Sequence, residues 1–190
     1  MSKSHYLSAR DRMLTRIAQT RDAAKAGLPH GPARNDGKWT LTSDGDWTGG
    51  AFVGELWLAH VADPQRFPIS DAHAALRRML PRDQLRTAFK GFGFYHGAAL
   101  GSILFADETG RNAALTAARS LEQMFDPKLG LIPLGQDAEE ASAVSMAESS
   151  IDSLQATGLL YWAADQLGDA HMDAVQCSYA ESIGNPCAVR

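Results

Sequence analysis

Asp152 stands in SSIDSLQATGLLYWAAD (residues 149–165), where most of the following positions are apolar. A carboxyl group there can favour the positive end of a helix. It can also sit in a partly dry pocket with a shifted pKa and move protons as a general acid or base. At helical spacing, Gln155, Ala156, Leu159 and Ala163 share its face. A second stretch, DWTGGAFVGELWLA, begins at Asp46. Asp46 can cap a helix and leave Trp47 at its first position. Trp47, Gly50, Gly54 and Trp57 then fall on one side. A flat ring over a strip without side chains suits stacking on a sugar ring. It equally suits close packing of a neighbouring helix, the commoner use of Trp. A third stretch, FKGFGFYHGAALG (residues 89–101), puts Gly93, Gly97, Leu100 and Leu104 on one face, with Tyr95 and His96 off it. His96 is a candidate acid/base, or simply a packed or half-exposed side chain. Glu139 and Glu140, in the acidic loop GQDAEEAS, can reach the same region, although a solvated loop is the plainer reading.

These residues need helices to position them. Ala and Leu are abundant and β-branched runs are absent, so most of the chain reads as helix. A first helix is expected over residues 9–25, followed by a long loop over residues 27–46 dense in Gly, Pro, Asn and Asp. Three segments then repeat a pattern: GELWLAHVAD, GAALGSILFADETG and GLLYWAADQLGD. Each ends an apolar, small-residue-rich helix, begun near Trp47, Gly91 and Ser149 respectively. Each is followed by a more polar helix, over residues 70–80, 111–125 and 170–181. The spacing is roughly fifty residues, the length of a helical-hairpin repeat. The apolar helix of each round should be buried and the amphipathic one outside. The fold class is therefore all-α, either an α/α toroid or an open α-hairpin array or bundle. Ser145 and Glu148 have capping-box spacing ahead of the third inner helix.

The bulk properties narrow the function. The 190 residues are 45% hydrophobic and 21% charged, which suits one globular domain over residues 1–190. A net charge of −4, without runs of Lys or Arg, argues against nucleic acid as the main partner. No apolar stretch of signal-peptide or membrane-spanning length is visible, so no membrane association is expected. Cys177 and Cys187 lack metal-type spacing and read as two unpaired thiols in a reducing, cytoplasmic setting. The scattered histidines (His5, His30, His60, His73, His96 and His171) form no metal motif. No phosphate loop or serine nucleophile elbow appears.

Three motifs carry a resemblance. DWTGGAFVGELWLA resembles the DWT-x-GF-x-x-G-x-LWL segment of the unsaturated glucuronyl hydrolases. SSIDSLQATGLLYWAADQLGD resembles their IIID-x-x-x-N-x-x-LL-x-WA-x-x-x-GD segment, and FKGFGFYHGAALG stands where they have HD-x-GF. Order and spacing agree from about Leu14 onward. The resemblance implies an (α/α)6 barrel, the six-hairpin fold, of which this chain carries about three hairpins. It implies removal of an unsaturated uronic acid from lyase-generated oligosaccharides. The route is hydration of the C4–C5 double bond, with no metal or organic cofactor. It makes Asp152 the general acid/base and Trp47 a sugar-stacking aromatic; Gln155 and His96, beside these motifs, are further candidate substrate-binding residues.

The departures are specific. The family's His-Asp pair is Lys90-Gly91 here, so the carboxylate that positions substrate is missing at Gly91. Lys90 can instead attract a carboxylate or sulfate on the substrate. The Asn four residues after the family's catalytic Asp is Ala156, and a Phe of the first motif is Ala51. Besides the hydrolase, two further readings stay open: a non-catalytic carbohydrate-binding or truncated remnant, and a toroid with different chemistry such as a sugar epimerase. The last usually relies on His pairs, which the inner helices lack. Uncovered flanking hairpins would favour a homo-oligomer.

Overall fold

A computed structural model describes residues 3–31, 38–150 and 152–182. Helix α1 (Lys3–Ala23) runs on into a 3-10 turn, Ala24–Ala26. It begins six residues before the expected start, and its outer face is mostly solvated. Leu14 and Ala18 are the apolar side chains of α1 that are buried, and they pack with Ala59 and Phe67.

The expected long loop carries a short antiparallel hairpin, β1 (Leu28–His30) with β2 (Thr40–Thr42), in the register Leu28↔Thr42. Gly27 lies so close to the carbonyl of Thr42 that a Cβ would stand 2.3 Å from its oxygen, which excludes a side chain at this edge. The middle of the loop, residues 32–37, lies outside the described residues.

The inner and outer helices alternate as the repeat implies. Inner α2 (Gly49–Ala62) is followed by outer α3 (Ile69–Met79), which passes into a 3-10 turn, Leu80–Gln84. The second inner helix is built in three pieces: α4 (Lys90–Phe94), a π-helical turn (Tyr95–Ala99) and α5 (Leu100–Phe105). It ends at Ala106, in the left-handed region at φ 51°. Asp107 caps outer α6 (Glu108–Glu122), its carboxylate accepting from the Gly110 N–H at 2.6 Å. Inner α7 (Ser153–Leu167) stops at left-handed Gly168, and outer α8 (Ala170–Ser182) follows.

Glycine sets how closely the inner helices approach. A Cβ on Gly50 would stand 2.0 Å from the Gly93 carbonyl oxygen, and one on Gly54 would stand 3.0 Å from that of His96. Trp57, fully buried, donates its indole N–H to the Gly97 carbonyl at 2.8 Å, satisfying a polar group within the π turn. The strip Gly50–Gly54–Trp57 therefore serves helix packing, while Trp47 lies outside the helix.

Three local expectations are corrected. Asp46 does not cap α2: it sits at φ 46°, outside the helix, and Thr48 is the residue before the first turn. Ser145 and Glu148 do not form a capping box for α7. The Ser145 hydroxyl instead binds the backbone of Ser142, and Glu148 accepts from the Ser142 hydroxyl at 3.0 Å. Cys177 is not a free thiol but disulfide-bonded. Cys187 lies outside the described residues.

One face of the inner helices is open. Leu58 and Val61 of α2, and Ile103 and Leu104 of α5, are exposed although apolar. Among the described residues no helix is long and apolar enough to cross a membrane.

Candidate active site

The segments preceding the three inner helices meet at one end of the bundle. Trp47 packs on Phe89 and Phe92, with ring centroids 6.2 Å away in each case. Phe89 and Phe92 in turn share a small apolar cluster with Leu134 and Ala138, from the loop before α7. Backbone bonds hold that loop to the start of α4. Ala88 N–H donates to the Leu134 carbonyl at 2.9 Å, and Asp137 N–H donates to the Arg86 carbonyl at 3.0 Å. The segments ahead of the inner helices thus form a shared rim.

A layer of charge lies beside this apolar layer. Arg82 is buried, with its side chain 8% exposed, and is reached by carboxylates from two loops. Its guanidinium donates to Asp44 at 3.2 Å and lies 3.5 Å from Asp46, on the segment leading into Trp47. On its other side it donates to Glu139. Glu139 and Glu140 are both exposed as residues of the acidic loop, but the Glu139 carboxylate is also tied to Arg82. His30 Nδ1 lies 3.3 Å from Asp46 without a hydrogen-bond geometry.

Asp152 occupies the cap position of α7, where its side chain makes no capping bond, and it is exposed rather than held in a dry pocket. Its carbonyl accepts from the Gln155 N–H at 3.0 Å, and Gln155 is also exposed. One helical turn further on, Ala156 touches the second inner helix: a Cβ on Gly91 would stand 2.4 Å from Ala156 Cα. Gly91 therefore presents no open site where a carboxylate is lost; the seam between α4 and α7 is shut at that level. Asp152 precedes this seam by one helical turn of chain, and Trp47 packs at the start of α4. Among the described residues no hydrogen bond, ion pair or ring contact joins Asp152 to Trp47.

Lys90 does not reach toward a substrate. It is 3% exposed, and its ammonium donates to the Asp83 carbonyl at 3.1 Å and the Ser120 hydroxyl at 2.6 Å. Burial lowers its pKa to about 8, against smaller upward pulls from Asp83 and Asp137. The expected attraction of a substrate anion by Lys90 is thus corrected to an internal tie between the second inner helix and α6. His96 is exposed on the π turn, its ring 5.5 Å from that of Tyr95.

Sequence reasoning missed the groove beside Trp47. A cavity of about 480 Å³ runs between α1 and α2, and Trp39, Trp47, Ile17, Ala51 and Glu55 are among its walls. Trp39 and Trp47 are each 38% exposed. Glu55 is solvent-exposed as a residue, yet the groove desolvates its carboxyl and raises its pKa above the ordinary value. The spacing of Ala51 and Glu55, four residues apart on α2, carried the signal. Trp39 gave none, because it stands in a loop; its indole N–H is held by the Thr20 hydroxyl at 3.2 Å. Among the described residues no group of three or more His, Cys, Asp or Glu is arranged to hold a metal ion.

Comparison with known proteins gives a consistent picture. No protein-family model matches the chain. The unsaturated chondroitin disaccharide hydrolase of Streptococcus pneumoniae is 25% identical, over 97% of this chain and 47% of its own length. The unsaturated glucuronyl hydrolase of a Bacillus species is 32% identical, over 78% of this chain and 41% of its own length. Among solved structures, a UGL variant with dGlcA-Glc-Rha-Glc superposes with a TM-score of 0.81 at 25% identity, covering 93% of this chain and 47% of that one. The unsaturated glucuronyl hydrolase of Streptococcus agalactiae superposes with a TM-score of 0.74 at 21% identity, over 91% of this chain and 46% of that one. The fold is that of the α/α toroids, and the chain spans about half the length of the curated relatives it matches.

Proposed function

We propose that this chain carries the part of an unsaturated glucuronyl hydrolase-type glycosidase that holds the general acid/base, and that it acts on unsaturated uronyl oligosaccharides. The observation that carries the proposal is the rim itself. Residues matching two separated motifs, Trp47 and Asp152, lie on segments that the fold draws to one end of the inner helices. In the proposed reaction Asp152 protonates C4 of the double bond and directs water to C5. Water is thereby added across the bond, and the hemiketal formed at C5 opens to release the neighbouring sugar. An exposed Asp152 is compatible with a group that receives substrate from solvent and becomes enclosed only when substrate covers it. Trp47 and Trp39 would offer ring faces, and Glu55 a hydrogen-bonding carboxyl, to sugar hydroxyls in the groove.

The second reading is a non-catalytic saccharide binder. It is favoured by the shut seam at Gly91 and Ala156, which leaves no room for a second carboxylate there. A single domain over residues 1–190, with self-association through Leu58, Val61, Ile103 and Leu104, is part of the proposal. So is a cytoplasmic setting, against which the disulfide at Cys177 is the contrary observation. Unsaturated uronyl disaccharides separate the two readings. A shift in Trp emission with product formation supports the hydrolase, a shift without product supports the binder, and neither response in folded protein rejects both.

A further inference from the structure

Arg82 belongs to none of the motifs that carry the resemblance, yet it is the buried point at which two loops of the rim meet. Asp44 and Asp46 flank the turn that delivers Trp47. Glu139 belongs to the loop that runs on toward Asp152. Asp46 is one of the non-glycine residues at positive φ, at 46°, in the position immediately before Trp47. Asp enters that region more readily than most side chains, and its surroundings hold it there. Here they do so through Arg82 at 3.5 Å, and through the Asp44 carboxylate, which accepts from the Asp46 N–H at 3.1 Å. The indole that follows rests against Phe89 and Phe92 and is 38% exposed. A ring that is over a third exposed depends on the backbone that carries it for part of its orientation, and the charged clamp fixes that backbone. A guanidinium suits this use. Its fixed planar fork can bind carboxylates on two sides at once, which a lysine ammonium on a flexible stem cannot reproduce.

We infer that Arg82 is a positioning residue for Trp47: by binding Asp44, Asp46 and Glu139 together, it sets the angle of the indole relative to the loop leading to Asp152. The inference rests on the proposed site for its significance, but its test needs no substrate, so failure of the enzymatic reading would not touch it.

The test is fluorine NMR of protein labelled with 5-fluorotryptophan. The signals of Trp47 and Trp57 are assigned by Trp47→Phe and Trp57→Phe. In Arg82→Met, the Trp47 resonance is expected to move or split by more than its own width, while that of Trp57, buried against Gly97, stays in place. Arg82→Lys should restore the single position only in part. Glu139→Gln, which loosens one end of the clamp, should produce a smaller change of the same kind and serves if Arg82→Met does not fold. An unchanged Trp47 signal in a folded variant would overturn the inference. So would a Trp57 signal that moves by as much as that of Trp47, which would mark a general structural role. Failure of both Arg82→Met and Glu139→Gln to fold would overturn it too, by making the cluster a requirement of the fold itself.

Discussion

Two glycines of α4, two positions apart, should answer the same substitution with opposite signs. A Cβ on Gly91 would stand 2.3 Å from Ala156 Cβ, 2.4 Å from its Cα and 2.8 Å from its carbonyl oxygen. Ordinary carbon–carbon contact is about 3.5–4.0 Å, so α4 and α7 must part by roughly 1 Å or more. Two of the opposing atoms are backbone and cannot rotate aside, which places the cost near the upper end of overpacking, about 3 kcal/mol. Replacing Gly by Ala in a helix returns about 1 kcal/mol. Gly91→Ala should therefore lose about 2 kcal/mol, or roughly 4–8 °C in a chain of this size. A Cβ on Gly93 meets nothing within 4 Å. Gly93→Ala should keep the helical gain and become more stable by up to about 1 kcal/mol. Urea unfolding followed by circular dichroism reads both. Adding Ala156→Gly to Gly91→Ala should recover only part of the loss, because Ala156 contributes its Cα and carbonyl as well as its Cβ. A Gly91→Ala variant as stable as wild type would refute the close seam. It would also refute the conclusion that a carboxylate cannot simply be restored at that position.

Other outcomes follow from buried polar groups. Lys90 releases its proton near pH 8 in the fold, against about 10.4 in an unfolded chain. Between those values the unfolded chain holds a proton that the folded one has lost, so stability should rise as pH climbs through that window. Lys90→Met should flatten the rise in denaturant midpoints measured from pH 7 to 10.5. Trp57→Phe leaves the Gly97 carbonyl without its indole donor and should cost about 1–3 kcal/mol, read as a lower urea midpoint with an unchanged m-value.

The helical architecture was legible because it is local and periodic. The inner helices announced themselves by small and apolar residues on every side, the outer ones by a single apolar stripe, and Trp47 and Asp152 by motif. What the sequence hid is carried by contacts between distant residues. Arg82 reads as one more solvated cation until Asp44 and Glu139 are brought to it across 38 and 57 residues. Lys90 looked available to a substrate because nothing in its neighbourhood names Ser120, thirty residues on, as its partner. Asp46 has the right chemistry for a cap, but the clamp draws it into a positive φ and the helix starts later. The β1–β2 pair was masked by the glycines and prolines around it, and Trp39 by its place in that same loop. Position 91 was readable as a lost carboxylate. The structure adds that Gly91 packs on Ala156, so each small residue makes room for the other.

The most direct test of the central claim is the loss of ultraviolet absorbance of unsaturated uronyl disaccharides, with wild type and Asp152→Asn side by side. The Asp152 side chain makes no capping bond, so the Asn variant should fold with a stability within about 0.5 kcal/mol of wild type. Removal of a general acid/base should slow turnover about 10²–10⁴-fold. Absorbance falling with wild type and holding steady with a folded Asp152→Asn is the expected result. Equal rates in the two proteins, or no loss with either, would contradict Asp152 as the acid/base of this chain.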